Sequence, residues 1–115
     1  MVADTEQLSD LDGPIAAPDH HRVTFENERV RVVETLIKPG DVTPVHTHLA
    51  RSMTVVRSGS QFIRRDPTGK VLVDTRSEDP PFVMPQLIWS DGLPAHTLQN
   101  TGNEDLVLTA VELKS

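Results

Sequence analysis

The chain contains no cysteine and no tyrosine. Missing thiols exclude a disulfide framework, a thiolate zinc site, an iron–sulfur cluster and a cysteine nucleophile. Aromatic residues are scarce, with three phenylalanines and one tryptophan. Positive charge is short as well, 11 Lys and Arg against 17 Asp and Glu, for a net charge of -6. That sign is wrong for a protein that gains affinity by displacing counterions from phosphates, so no nucleic acid is expected as a partner. No window approaches the roughly 20 apolar residues of a membrane span, so no membrane role is expected either. The N-terminus has neither a basic n-region nor an apolar h-region, and together with the absent cysteines this reads as a cytoplasmic chain. Any transition-metal chemistry must then fall on the five histidines and the carboxylates.

A length of 115 residues suits one domain and leaves no room for a second core. Residues 1–19 carry Asp4, Glu6, Asp10, Asp12 and Asp19 among Gly13, Pro14 and Pro18, without sustained periodicity. They are expected to form an arm that is disordered or packs on a partner subunit. Residues 20–115 form the domain proper. Short runs of Val, Ile, Leu and Thr alternate there with turn chemistry such as Pro39-Gly40-Asp41, Ser58-Gly59-Ser60 and Ser90-Asp91-Gly92. Strands are expected at 21–25, 29–37, 42–48, 52–57, 61–65, 70–75, 81–84, 87–90, 96–99 and 106–113. Many short strands without a helical period predict an all-β sandwich or barrel with little or no helix.

His46 and His48 stand at i and i+2 in the run from Gly40 to His48. On an extended strand such residues share a face, about 6.5–7 Å apart, a spacing from which two imidazoles converge on one ion. His96 is a third candidate, far along the chain. His20 and His21 read as a surface pair at the end of the arm, or as a pair of which one reaches the barrel mouth. Glu34 and Glu112, in otherwise apolar strands, read as candidates for a displaced fourth ligand or, more readily, as carboxylates paired to Arg or Thr neighbours, because a buried unpaired carboxylate is costly. Arg57, Arg64, Arg65, Lys70 and Arg76 read as solvated strand faces or as the rim of an anion site.

The spacing Gly40, five residues, His46-x-His48, then Gly59, followed by Gly92, His96 and Asn100, resembles the two motifs of the cupin superfamily. The resemblance runs from about Arg29 to Lys114 and is similar to small bacterial single-domain cupins. It implies an RmlC-like jelly roll, a double-stranded β-helix barrel of two facing antiparallel sheets, with a metal near one mouth. Ser52 stands where the superfamily carries a glutamate, and a neutral hydroxyl is a poor ligand for a divalent ion. The implied site is therefore three neutral histidines, His46, His48 and His96.

A three-histidine set leaves the full +2 charge on the ion, which favours an anionic substrate. It suits one divalent transition metal, Fe, Mn, Ni, Cu or Zn. Within the superfamily such a set is similar to that of diketone-cleaving and thiol-oxidising dioxygenases. The expected function is a metal-binding cupin, a dioxygenase or related enzyme acting on a small oxygenated substrate. The alternatives are a non-catalytic small-molecule binding or sensor cupin and a metal-independent isomerase or epimerase. Ser52, Thr54, Trp89 and Asn100 are the expected pocket residues beside the histidines, with Trp89 also read as a core or mouth-packing residue and Asn100 also as the turn residue heading Asn100-Thr101-Gly102-Asn103. The expected partners are a small-molecule ligand and a second copy of the chain in a homodimer.

Overall fold

Between its turns the chain is extended. The computed structural model describes residues 10–78, 83 and 85–114. Among them nine strands run in the order β1 (His21–Glu26), β2 (Val30–Ile37), β3 (His46–His48), β4 (Ser52–Ser58), β5 (Phe62–Arg65), β6 (Val71–Asp74), β7 (Gln86–Ser90), β8 (Leu93–Asn100) and β9 (Leu106–Leu113). All pairings are antiparallel, in a five-stranded sheet ordered β1-β2-β9-β4-β7 and a four-stranded sheet ordered β3-β8-β5-β6. This is the double-stranded β-helix expected from the motifs. The strand expected at 81–84 lies, apart from Val83, outside the described residues.

Two strands differ from expectation. β3 begins only at His46, because Pro44 has no N–H to give to a ladder, and Val42 keeps a single isolated bridge to Gln99. β8 begins three residues before His96, at Leu93, where it meets His48. The turn glycines Gly40, Gly59 and Gly92 all have positive φ, at 83°, 120° and 122°, a region a side chain disfavours.

The core fills one end of the barrel. On β2 the inward positions are Arg31, Val33, Thr35 and Ile37, and their partners on β9 are Glu112, Ala110, Leu108 and Leu106. Ile37 and Leu106 join Val56 and Phe62 in a buried cluster, with Val73, Ile88, Leu98 and Leu108 packed against it. Each such side chain contributes about 1.5–3 kcal/mol through burial. Toward Arg31 and Glu112 the same interior becomes polar.

The arm, from Asp10 onward, lies on the chain's own barrel. Pro14 sits at the start of a one-turn helix, α1 (Gly13–Ala16), where its missing N–H costs nothing. The Thr47 N–H donates to Leu11 O at 2.7 Å, and Asp12 bridges Thr47 in parallel, so the arm covers the outer edge of β3. The remaining helical element among the described residues is a 3₁₀ turn at Thr75–Ser77.

Candidate metal centre

Four histidines from three strands meet at the polar end of the interior. His46 lies directly across the ladder from His96, with ring centroids 4.4 Å apart. His48 is 4.8 Å from His46 and 5.5 Å from His96. His21, the first residue of β1, completes the group at 4.6 Å from His46 and 5.1 Å from His48. Nitrogens of His21, His46 and His48 lie within 4.8 Å of one another, close enough for one ion to be held by all three. His96 stands against His46 at the edge of this set.

Backbone carbonyls fix the tautomer of three of the rings. The Nδ1 of His46 faces Pro44 O at 2.8 Å, that of His96 faces Pro94 O at 2.7 Å, and that of His21 faces Ala17 O at 3.0 Å. A carbonyl only accepts, so each Nδ1 carries the proton and each Nε2 keeps its lone pair, the form a metal ligand needs. Burial holds all four imidazoles below their ordinary pKa, His21 and His96 at about 4 and His48 well below 6.5. The neighbouring imidazoles lower His48 further. The rings therefore stay neutral through the physiological range and available to a cation. A buried set of neutral nitrogen donors fits zinc, copper, iron or nickel.

A carboxylate does face the cluster, from the strand beside the expected one. Ser52 pairs across the sheet with Glu112 of β9. Glu112 Oε2 lies 3.9 Å from His48 Nδ1, while Oε1 accepts from Arg31 Nε at 2.8 Å and lies 2.7 Å from Arg31 Nη2. Arg31 also forks onto both oxygens of Asp12, at 2.9 Å each. Asp12, Arg31 and Glu112 are all buried. Burial pushes the Glu112 carboxyl above its ordinary pKa, and Arg31 opposes that shift. With Oε1 spent on Arg31, Glu112 keeps Oε2 turned toward the His48 ring, at a distance longer than a direct hydrogen bond.

The arm closes the other side of the cluster. A Cβ on Gly13 would stand 2.7 Å from His48 Cε1 and 3.3 Å from His21 Cδ2, so only glycine lets α1 lie on the two rings. His20 is turned away and holds Asp41 at 2.8 Å.

A cavity of about 220 Å³ opens beside the histidines. Ser52 and Thr54 line it, with Thr35, Phe62, Arg64 and Ile88 among its other walls. Trp89 borders it, but register directs the indole outward: Trp89 pairs with exposed Met53, is 48% exposed itself, and donates Nε1–H to Asp91 at 3.0 Å. Asn100 corrects an expectation. It is fully buried away from this cavity, its amide nitrogen donating to Ile37 O and Glu104 O and its oxygen accepting from Gly102 N–H, so it fastens a turn. Glu34 accepts from Thr109 and pairs with Arg57, as its setting implied.

Sequence reasoning placed His46, His48 and His96 together, read His20 and His21 as a surface pair or as a pair of which one reaches the barrel mouth without choosing His21, and did not join Asp12, Arg31 and Glu112. The available signal for His21 was its place opposite Thr35, an inward position of β2, once the β1–β2 hairpin is registered. Among the described residues no helix is long and apolar enough to cross a membrane.

No protein-family model and no curated protein matches the chain. Solved structures match it by shape. A cupin domain from Bordetella pertussis Tohama I is 22% identical with a TM-score of 0.66, covering 83% of this chain and 92% of that one. An RmlC-like cupin family protein with a double-stranded β-helix fold, from Methanocaldococcus jannaschii, is 10% identical with a TM-score of 0.60, covering 82% and 78%. A cupin superfamily protein from Desulfitobacterium hafniense DCB-2 is 8% identical with a TM-score of 0.55, covering 83% and 76%. The likeness establishes that this chain has the cupin fold.

Proposed function

We propose that this cupin barrel binds one divalent first-row transition metal through His21, His46, His48 and His96 and uses it to act on a small oxygenated molecule. The observation that carries the reading is the convergence of buried, neutral imidazoles whose Nδ1 protons are committed to backbone carbonyls. A metal bound there supplies a Lewis acid with open positions for an oxygen ligand. The chain's own part is to hold the ligand nitrogens in place, to set the Glu112 carboxylate beside His48, and to leave the space beside Ser52 and Thr54 for the substrate. Oxygenase chemistry of the diketone-cleaving or thiol-oxidising kind is the leading activity within this reading. Metal analysis of untagged protein tests it: about one ion per chain is expected, with uptake reduced at least tenfold in His46→Ala. Protein that takes up none of iron, manganese, nickel, copper or zinc overturns it. Oxygen uptake with diketone or thiol substrates then separates enzyme from binder.

One observation favours the second reading, a non-catalytic binding or sensor module. Glu112, the carboxylate lining the cavity, is committed to Arg31 and leaves little free for proton transfer. A metal-independent isomerase fits less well, since an imidazole held near pKa 4 is a weak base.

We also propose that a second copy of the chain packs on the outer face of the five-stranded sheet. Phe25, Val32, Val111, Met53 and Trp89 pair in one row across all five strands and form an apolar stripe there. Five strands at about 4.8 Å and eight residues at about 3.4 Å give a projected face of roughly 600 Å². That is the order of the ~800 Å² each partner buries in a standard interface. Sedimentation at micromolar concentration is expected to give twice the 12.7 kDa of one chain, and a monomer at that concentration overturns the proposal.

A further inference from the structure

Two charged side chains line the cavity, Glu112 and Arg64. Glu112 is spent on Arg31. Arg64 is left over. Among the described residues no hydrogen bond or ion pair engages its guanidinium, and burial alone acts on it, pulling its pKa down with no acidic neighbour to offset the cost. A half-buried, unpaired guanidinium is an expensive group to keep unless something anionic uses it.

Its position says what it faces. On β5, Phe62 and Arg64 share the inward face. Arg64 pairs with Leu98 of β8, so His96, two residues along β8, is its diagonal neighbour on the same face. Such diagonals put the two residues about 7–8 Å apart, within reach of a long side chain. Arg64 also acts electrostatically on His96, lowering its proton affinity.

We propose that Arg64 is the anion-recognising residue of this cavity. Its ligand is a short carboxylate with a second oxygen donor, of the 2-oxo or 2-hydroxy acid class. The carboxylate sits on the guanidinium and the second oxygen is directed at the histidines. The planar fork of arginine matches a carboxylate through two parallel hydrogen bonds, which strengthen as water is excluded. Arg64 is the one cation among the lining residues, which suits a monoanion rather than a phosphate dianion. The ligand is small, since the cavity of about 220 Å³ is below the roughly 300–1,000 Å³ of drug-sized sites. Only the oxygen end of the ligand rests on the metal reading above; the carboxylate end rests on Arg64.

Titration calorimetry with pyruvate and lactate, each beside its uncharged amide, tests the proposal on zinc-loaded and on EDTA-treated protein. Wild type is expected to hold one of the acids at millimolar strength or better, and at least tenfold more tightly than its amide. Arg64→Gln is expected to erase that preference at wild-type zinc stoichiometry, and Arg64→Lys to retain part of it. Equal affinity for acid and amide in wild type, acid binding by Arg64→Gln at wild-type strength, or no acid binding at millimolar concentration each overturns it. The comparison within wild type keeps the test decisive if Arg64→Gln does not fold. An acid preference that depends on Arg64 in protein that takes up no metal sinks the metal reading alone, and metal uptake without an acid preference sinks only the Arg64 proposal.

Discussion

The inner and outer faces of the five-stranded sheet invert the usual pattern where they bound the histidine site. The inward row, read across paired residues from β2 to β7, is Arg31, Glu112, Ser52 and Ser90, with exposed Glu26 of β1 beyond Arg31 at the sheet edge. The adjacent outward row is Phe25, Val32, Val111, Met53 and Trp89. Successive residues of a strand point to opposite faces, so a polar row inside and an apolar row outside are one residue apart. The polar row is tolerated because its central charges are paired on several sides. The apolar row leaves Phe25 54% and Trp89 48% exposed, large surfaces for a sheet face without a partner. A barrel that reserves one end for chemistry has less interior for apolar side chains, and here they gather at the Ile37–Leu106 end and on the outside.

The sharpest way to break this comparison is to remove the cation that holds the inner row together. Arg31→Met keeps the side-chain volume but leaves Asp12 and Glu112 buried without their partner. A loss of about 3–5 kcal/mol is expected, because an uncompensated buried charge remains. On the outer face Val32→Thr, one residue away, is expected to cost under about 1 kcal/mol. Urea unfolding of the two variants measures both. Similar losses would mean that the inner charges are solvated and that the network is not what organises the mouth.

Acid is a gentler probe of the same asymmetry. His21 and His96 have folded pKa values of about 4 against an ordinary 6.5 because burial disfavours their charged forms. Between those values the unfolded chain binds more protons than the folded one, so stability falls as pH drops from about 6.5 toward 4. His46 and His48 act in the same direction. Glu112 acts in the opposite one, since its raised pKa lets the folded chain keep a proton as pH falls. Four imidazoles outweigh one carboxyl, and a net loss of a few kcal/mol is expected in metal-free protein. Urea midpoints between pH 7.5 and 4.5 check it. The outer row contains no titratable group, so Val32→Thr is expected to leave the slope unchanged.

The legibility of the two faces in the sequence differs for the same reason. His46 and His48 announce themselves because a spacing of two fixes a shared face without knowledge of any partner strand. His96 and the turn glycines follow from the motif. His21 could not be read so, since its direction depends on the β1–β2 register, which is itself shifted between Val23 and Phe25. Glu112 stood out in the sequence as a carboxylate in an apolar strand, but its place beside the histidines came only with its pairing to Ser52, a contact between residues sixty positions apart. Asn100 had the parity of a pocket residue and the neighbours of a turn residue, and the turn reading holds: its amide bonds Glu104 O and Gly102 N–H around the following turn and ties that turn to Ile37 O. The outer apolar row was invisible for a similar reason, because each of its members belongs to a different strand.

The smallest change in stability is expected on that outer row, where the change in assembly should be the largest. Met53 and Trp89 face each other across β4 and β7, 38% and 48% exposed. Met53→Glu with Trp89→Glu leaves the histidines and the buried charge network untouched, and like charges directly opposite each other cost about 0.2–1 kcal/mol. A second copy meeting this face would have to bury both carboxylates without partners, which is far more expensive. The double variant is therefore expected to sediment as a monomer while its urea midpoint, followed with metal-loaded protein, stays near that of a wild-type monomer at high dilution. Its metal stoichiometry should match wild type, since the indole and the imidazoles lie on opposite faces of the barrel wall. A variant that stays dimeric would show that the copies meet elsewhere, and one that loses metal would show that the two faces are coupled.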